Sequence, residues 1–302
     1  MSSSVIRVAL VQLYSEPLSP ASNFTKAESF IRDAASQGAH IAVLPEYHLT
    51  SWAPQDPRFL ACCEQSPLYL ERYQALAREL AIAIVPGTLV EHRAETGDLV
   101  NIAYFISSGG EVLSRYQKKN LWHNERPHLV ADPSEHKAFD TALGGGCRVG
   151  MLVCWDLAFP EAMRELVRDG ARVVIIPAFW LMDQYRDRTG RVINLESERV
   201  FLDSVVVARA CESSAAVIFV NAGGPKPSAK GEDQSVSFCG VSQVGMPLLG
   251  SQGRQGAEEG MSVVDVDLDI LDAAEGGYKV RADLGREGWH YGYSLVKEGE
   301  IG

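Results

Sequence analysis

Two stretches 132 residues apart obey one rule of construction. GAHIAVLPE (38–46) and GARVVIIPA (170–178) each run Gly-Ala, a basic residue, an apolar run and then a proline. Upstream of each, IRVALV (6–11) resembles CRVGML (147–152), in the same order. Short unbroken apolar runs of this kind read as strands buried on both faces. Between them, Asn23 is placed to cap a helix through Gln37, with Phe24, Ala27, Phe30, Ile31 and Ala34 on one face and Gly38 as the stop. PEAMRELVRDG is the matching helix, ended by Gly170. A strand-helix unit used twice needs a helical cover on one face of each sheet, and the uncovered faces can then bury each other. The expected fold is α/β, a four-layer α-β-β-α sandwich of two mixed sheets.

Other segments fill out this plan. A helix is expected at about 67–80 and a strand over IAIVP (82–86). NIAYFIS and EVLSRYQKK, joined through Ser-Gly-Gly, read as a hairpin. A long helix is expected around 196–213 and a strand over AAVIFVN (215–221). From about 222 to 260 the composition turns loop-like, and SVSFCGVS with MSVVDVDL is expected to close the fold as a strand pair. No linker-like stretch precedes residue 222. One domain over 1–274 is expected, followed by a tail (275–302, with WHYGY) packing on the domain or on a partner subunit.

Charge and cysteine usage narrow the function. A formal net charge of -11 argues against nucleic-acid or anionic-membrane binding, which needs a cationic face. Cysteines 62, 63, 147, 154, 211 and 239 show no CxxC spacing, so disulfides and a thiolate zinc site are not expected. The sequence opens without a signal-peptide pattern, and no apolar stretch is long enough to span a bilayer. A reducing cytoplasm is the expected compartment.

One of those cysteines ends a strand. GMLVCWDLAFPE (150–161) places Cys154 where a buried run stops and a helix opens at Pro160. Inert core packing is one reading of a free cysteine. The other is a nucleophile exposed at a strand-turn-helix corner. A thiol with an ordinary pKa of about 8.5 needs a base and a donor for the oxyanion formed on attack. None of the seven histidines (40, 48, 92, 123, 128, 136 and 290) sits in a distinctive motif. Glu46, directly after AVLP, occupies the corresponding end of the repeat. Alone it could be a solvated loop acid, and Lys118 in SRYQKKNL a solvated edge residue.

Taken together, Glu46 in VLPEYHL, Lys118 in YQKKNL and Cys154 in GMLVCWDLAFPE resemble the Glu-Lys-Cys triad of the nitrilase superfamily, the carbon–nitrogen hydrolases. RACE (209–212) and the Asn221 that follows are similar to further family motifs, and the likeness runs from residue 5 to about 270. The resemblance implies Cys154 as nucleophile, Glu46 as general base, and Lys118 with the Trp155 N–H as oxyanion donors. Glu125, in WHNERPHL, resembles the family's second glutamate. With Lys118 shared by two carboxylates, Glu46 or Glu125 is expected to have a raised pKa. Tyr47, Ala178, Phe179 and Trp180 are the expected pocket residues. No metal or cofactor is required, the substrate is a small-molecule amide, and a homodimer or higher homo-oligomer is implied.

Departures from the family pattern stand out. Ala158 occupies a position where amidases often carry arginine, and Asn120 replaces the usual histidine of the lysine motif. LMDQYRDRTGRVINLESE (181–198) is long and holds Arg186, Arg188 and Arg191. It reads either as a lid for an acidic substrate group or as a solvated loop. Asp156 after Cys-Trp resembles the amidase and carbamoylase branches, whereas nitrilases tend to have Cys-Trp-Glu. Amide hydrolysis is therefore expected, with nitrile hydrolysis and acyl transfer as the alternatives.

Overall fold

The computed structural model describes residues 4–225 and 238–286. The first half runs β1 (Val5–Gln12), α1 (Pro20–Ser36), β2 (Ile41–Val43), α2 (Phe59–Cys63), α3 (Ser66–Leu80), β3 (Ala83–Val85), β4 (Thr88–Arg93), β5 (Asp98–Ile106) and β6 (Val112–Gln117). The second half runs β7 (Phe139–Thr141), β8 (Cys147–Met151), α4 (Pro160–Arg168), β9 (Val173–Ala178), α5 (Ser197–Ser213), β10 (Ala216–Asn221), β11 (Gln243–Met246) and β12 (Gly250–Gln252). It closes with β13 (Gly260–Asp267), α6 (Leu268–Tyr278) and α7 (Val280–Leu284).

Two mixed sheets result. One is ordered β13-β1-β2-β3-β5-β4 with β6 on the side of β5, and the other β12-β11-β10-β9-β8-β7. The repeat is visible in the register: β1 and β2 pair in parallel through Val8 and Ile41, and β8 and β9 through Val149 and Val173. Strand alternation sorts the layers. Ile6, Val8 and Leu10 of β1 join Val149, Met151 and Val217 of the second sheet in one core. Ala9 and Val11 pack instead with Phe24, Ala27 and Ile31 of α1 and Tyr73 and Leu76 of α3. Each fully buried aliphatic side chain contributes about 1.5–3 kcal/mol, so a one-residue slip of β1 would be prohibitive. α4 and α5 cover the second sheet through Met163, Leu166, Leu202 and Val206. The four-layer sandwich is the observed fold.

Two local expectations are corrected. α1 begins at Pro20, not at Asn23, because proline fits the first helical turn. Asn23 lies inside the helix, where its amide bridges the Glu16 backbone and the Leu49 carbonyl. The two closing strands are not a pair. β13 lies antiparallel to β1 in the first sheet, whereas the strand after Cys239 starts only at Gln243 and pairs with β10 in the second. Residues 235–237 of SVSFCGVS, part of AGGPKPSAKGEDQ, and WHYGY lie outside the described residues. β4, β7 and α2 had no counterpart in the sequence reading. Past residue 275, α6 continues to Tyr278, and Leu284 of α7 is buried against Val167 and Ala215.

Candidate active site

Glu46 and Cys154 both follow parallel strands, and parallel strand ends open onto the cleft where open α/β sheets place ligands. After β2 the chain passes Pro45 under Gly87, where any Cβ would meet the Pro45 carbonyl oxygen at 1.8 Å. Glu46 N then donates to the Ala178 carbonyl at 3.2 Å, stitching one sheet's end to the other's. The Glu46 carboxylate is 1% exposed. Its Oε1 accepts from Asn101 Nδ2 at 2.7 Å and Lys118 Nζ at 2.9 Å, and its Oε2 from Phe179 N at 3.0 Å.

Lys118 follows β6, its N–H bonded to the Asn101 carbonyl at 2.9 Å. Its buried ammonium also donates to Glu125 Oε1 at 2.7 Å. Glu125 is held by the Tyr47 hydroxyl and by Trp122 N, the latter at 2.6 Å. Lys119 points to the opposite side, bonding Asp132 at 2.8 Å and Ser134. Strand alternation thus assigns Lys118 to the cluster.

Cys154 opens a tight 3-10 turn with φ 49°, the left-handed region that non-glycine residues rarely enter. Such strain, about 1–3 kcal/mol, persists where surrounding structure holds it. Here that structure is Asp156, which is fully buried. Its Oδ2 accepts from Val153 N at 2.9 Å and the Tyr116 hydroxyl at 2.7 Å; its Oδ1 accepts from Asn120 N and Nδ2, each at 2.8 Å. The other end of the turn is stapled to α5. Arg209 donates to the Leu157 and Ala158 carbonyls at 3.2 and 3.1 Å while paired with Glu212 at 3.0 Å. One departure is thereby accounted for, since the Asn120 side chain ties the lysine loop to Asp156; the Ala158 contact is through its backbone carbonyl, which any residue would supply.

Glu46, Lys118 and Glu125 are the charged groups that act on the Cys154 thiol. Burial pushes the Glu46 carboxyl up to about 7, with repulsion from Glu125 adding to it and Lys118 opposing it. The raised pKa expected from shared charge therefore comes first from desolvation. Burial and the nearby Glu46 charge also hold the Cys154 thiol well above its ordinary value, so the resting form is a thiol. Burial disfavours the Lys118 ammonium, but its attraction to Glu46, Cys154 and Glu125 outweighs this and raises its pKa. His48, beside Glu46 in sequence, is pushed by burial down to about 3 and bonds the Tyr73 hydroxyl at 2.7 Å.

Glu46, Glu125 and Cys154 line a cavity of about 270 Å³, and Lys118 is not in its lining. Among the expected residues, Glu46, Tyr47, Glu125, Cys154, Trp155, Phe179 and Trp180 line it. Ala178 does not: still within β9, it is fully buried, and its carbonyl is taken by Glu46 N and Ala222 N. Trp52, Trp122, Asn124, Leu181, Met182, Asp183 and Glu198 were missed. The three arginines of 181–198 are not in the wall; exposed Arg186 donates to the Gly190 carbonyl at 2.9 Å and to Gln184 at 3.0 Å. Asn221 fixes the wall by accepting from Trp180 N at 2.7 Å and donating to the Trp180 and Gly240 carbonyls at 2.9 Å each.

A two-sheet sandwich carrying a buried thiol, carboxylate and ammonium under an aromatic pocket defines an enzyme with an active-site cysteine. The chain belongs to the carbon-nitrogen hydrolase family, which matches residues 7–275. It is 29% identical over 281 residues to an (R)-stereoselective amidase of Pseudomonas sp., covering 92% of this chain and 91% of that protein. It is 28% identical over 274 residues to a nitrilase of Pyrococcus abyssi, covering 88% and 92%. Among solved structures it resembles a mutant of the amidase from Nesterenkonia sp. AN1 (TM-score 0.70, 28% identity, 88% and 95% covered), which shows Michael addition of acrylamide at the active-site cysteine.

Proposed function

We propose that this enzyme hydrolyses the C–N bond of a small amide or carbamoyl amide through a thioester on Cys154. The observation that carries the reading is the cluster around Glu46, whose carboxylate accepts from the Lys118 ammonium at 2.9 Å and lines the same cavity as Cys154. A carboxyl tuned to about 7 is suited to take a proton and return it. Glu46 accepts the thiol proton as Cys154 Sγ attacks the carbonyl carbon. The carbonyl oxygen becomes an oxyanion, stabilised by the Lys118 ammonium and the Trp155 N–H. Glu46 then gives its proton to the departing nitrogen, the C–N bond breaks, and ammonia or an amine leaves a thioester. Water enters, gives a proton to Glu46 as its oxygen attacks, and the acid departs as the thiol is restored. Glu125 holds the lysine in place and supplies the second carboxylate of the cluster. The Asp156 signature supports amides over nitriles; the relatives include both amidases and a nitrilase.

Intact-mass measurement after rapid quenching tests this with aliphatic amides, N-carbamoyl amines and nitriles. An acyl adduct is expected on the wild-type chain with the first two and none on Cys154→Ala, which should fold normally and turn over nothing. Turnover of nitriles alone would overturn the choice of amides. Substantial residual activity in Cys154→Ala would remove the nucleophile assignment.

A further inference from the structure

The cavity is lined by the carboxylates of Glu46, Glu125, Asp183 and Glu198, and among the described residues no arginine or lysine lines it. Lys118 lies beneath it, already shared between Glu46 and Glu125. The outlying pair, Asp183 and Glu198, therefore has no role in the chemistry and no compensating charge in the described wall.

Glu198 is the unusual member. It is 4% exposed, and among the described residues it forms no ion pair; neighbouring Arg199 bonds Glu196 instead. A carboxylate buried without a cation is costly unless donors surround it. Trp180 Nε1 donates to its Oε2 at 2.7 Å, and it sits in the first turn of α5, where the helix dipole favours negative charge. These contacts hold the carboxylate in the wall but leave its charge uncompensated. Beside it, Trp180, Trp155 and Trp122 pack in series, with ring centroids 5.5 and 4.5 Å apart. Indole faces attract cations. Asp183, exposed, stands in the same wall.

We propose that the substrate's acyl chain carries a protonated nitrogen, an ammonium or amidinium, held against Glu198 and the tryptophan faces with Asp183 assisting. The proposal rests on the amide-hydrolysis reading and names its substrate class. An acidic substrate group, the alternative use for the 181–198 stretch, would meet four carboxylates and be repelled. That stretch serves the pocket through its carboxylates, not its arginines.

The test compares alkanamides of three to six carbons ending in an ammonium, a methyl or a carboxylate. For the best chain length, the ammonium form is expected to exceed the methyl form in kcat/KM by about tenfold to a hundredfold, the scale of a hydrogen bond to a charged group. The carboxylate form should be slowest. Glu198→Gln, which keeps an acceptor for Trp180, should collapse the ammonium-to-methyl ratio to within about threefold of unity, judged on protein whose melting temperature shows it folded. Added salt should shrink the wild-type ratio. A ratio near one in the wild type, or one unchanged by Glu198→Gln, overturns the proposal. Calorimetry with Cys154→Ala separates this from failure of the chemistry. If no amide acylates the wild type, the hydrolysis reading falls, while tighter binding of the ammonium form than the methyl form still supports the cation site. Equal binding refutes it.

Discussion

Asp156→Asn exchanges one oxygen for an amino group at a position where all four contacts are donors. With the new NH2 towards Oδ2's partners, the Tyr116 hydroxyl can turn and accept, but the Val153 N–H cannot. In the other orientation Asn120 can flip its side chain, but its main-chain N–H is opposed. Either way one hydrogen bond to a charged acceptor disappears, about 1.5–3 kcal/mol, and one buried N–H is stranded, about 1–3 kcal/mol. A destabilisation of about 3–5 kcal/mol is expected, visible as a melting temperature lower by several degrees. The stranded groups also anchor Cys154 and the segment after Lys118. A displacement of about 1 Å between nucleophile and oxyanion donor can cost about 100-fold in rate. The assay is thermal melting together with kcat/KM on any amide the wild type accepts. Asn120→Ala, which removes only one side-chain donor, should lose less on both counts. An Asp156→Asn protein with unchanged melting temperature and near-normal kcat/KM would refute the assignment of Asp156 as the clamp of this turn.

Lys118→Ala should slow the chemical step by about 100-fold or more, the scale of losing an oxyanion donor, whereas Lys119→Ala should leave the rate close to wild type. Single-turnover kinetics decides, and the reverse result would move the register by one residue. Because Glu46 must be ionised to accept a proton and its pKa is raised to about 7, kcat/KM should fall as pH drops through about 7. A pH–rate profile that stays flat down to pH 5 would exclude Glu46 as the base.

The layers were legible because they follow from period and repetition: the unbroken apolar runs form strands, and the amphipathic segments ended by Gly38 and Gly170 form their covering helices. Partner choice was not. MSVVDVDL alternates as a strand whichever sheet receives it, and its antiparallel pairing with β1 joins segments about 250 residues apart, which no local pattern encodes. The start of α1 was misplaced because Asn23 looks like a cap, while its amide is committed to Leu49, 26 residues away.

The same distinction governs the site. Glu46, Lys118 and Cys154 could be read because each sits at a strand end with a recognisable flank. Asn101, Asp156 and Arg209 act by holding other residues across 36 to 55 positions of sequence, and no local pattern encodes such a bond. The 181–198 stretch makes the point most sharply. Its composition announces three arginines, but a flexible guanidinium on an exposed loop is easily captured by nearby carbonyls, as Gly190 captures Arg186. Its last residue, Glu198, is fixed by a helix start and an indole N–H, and so it reaches the cavity wall, as Asp183 does from the other end of the segment. Of the two readings of this stretch, its arginines follow the solvated loop, and the charge it brings to the cavity wall is that of Asp183 and Glu198.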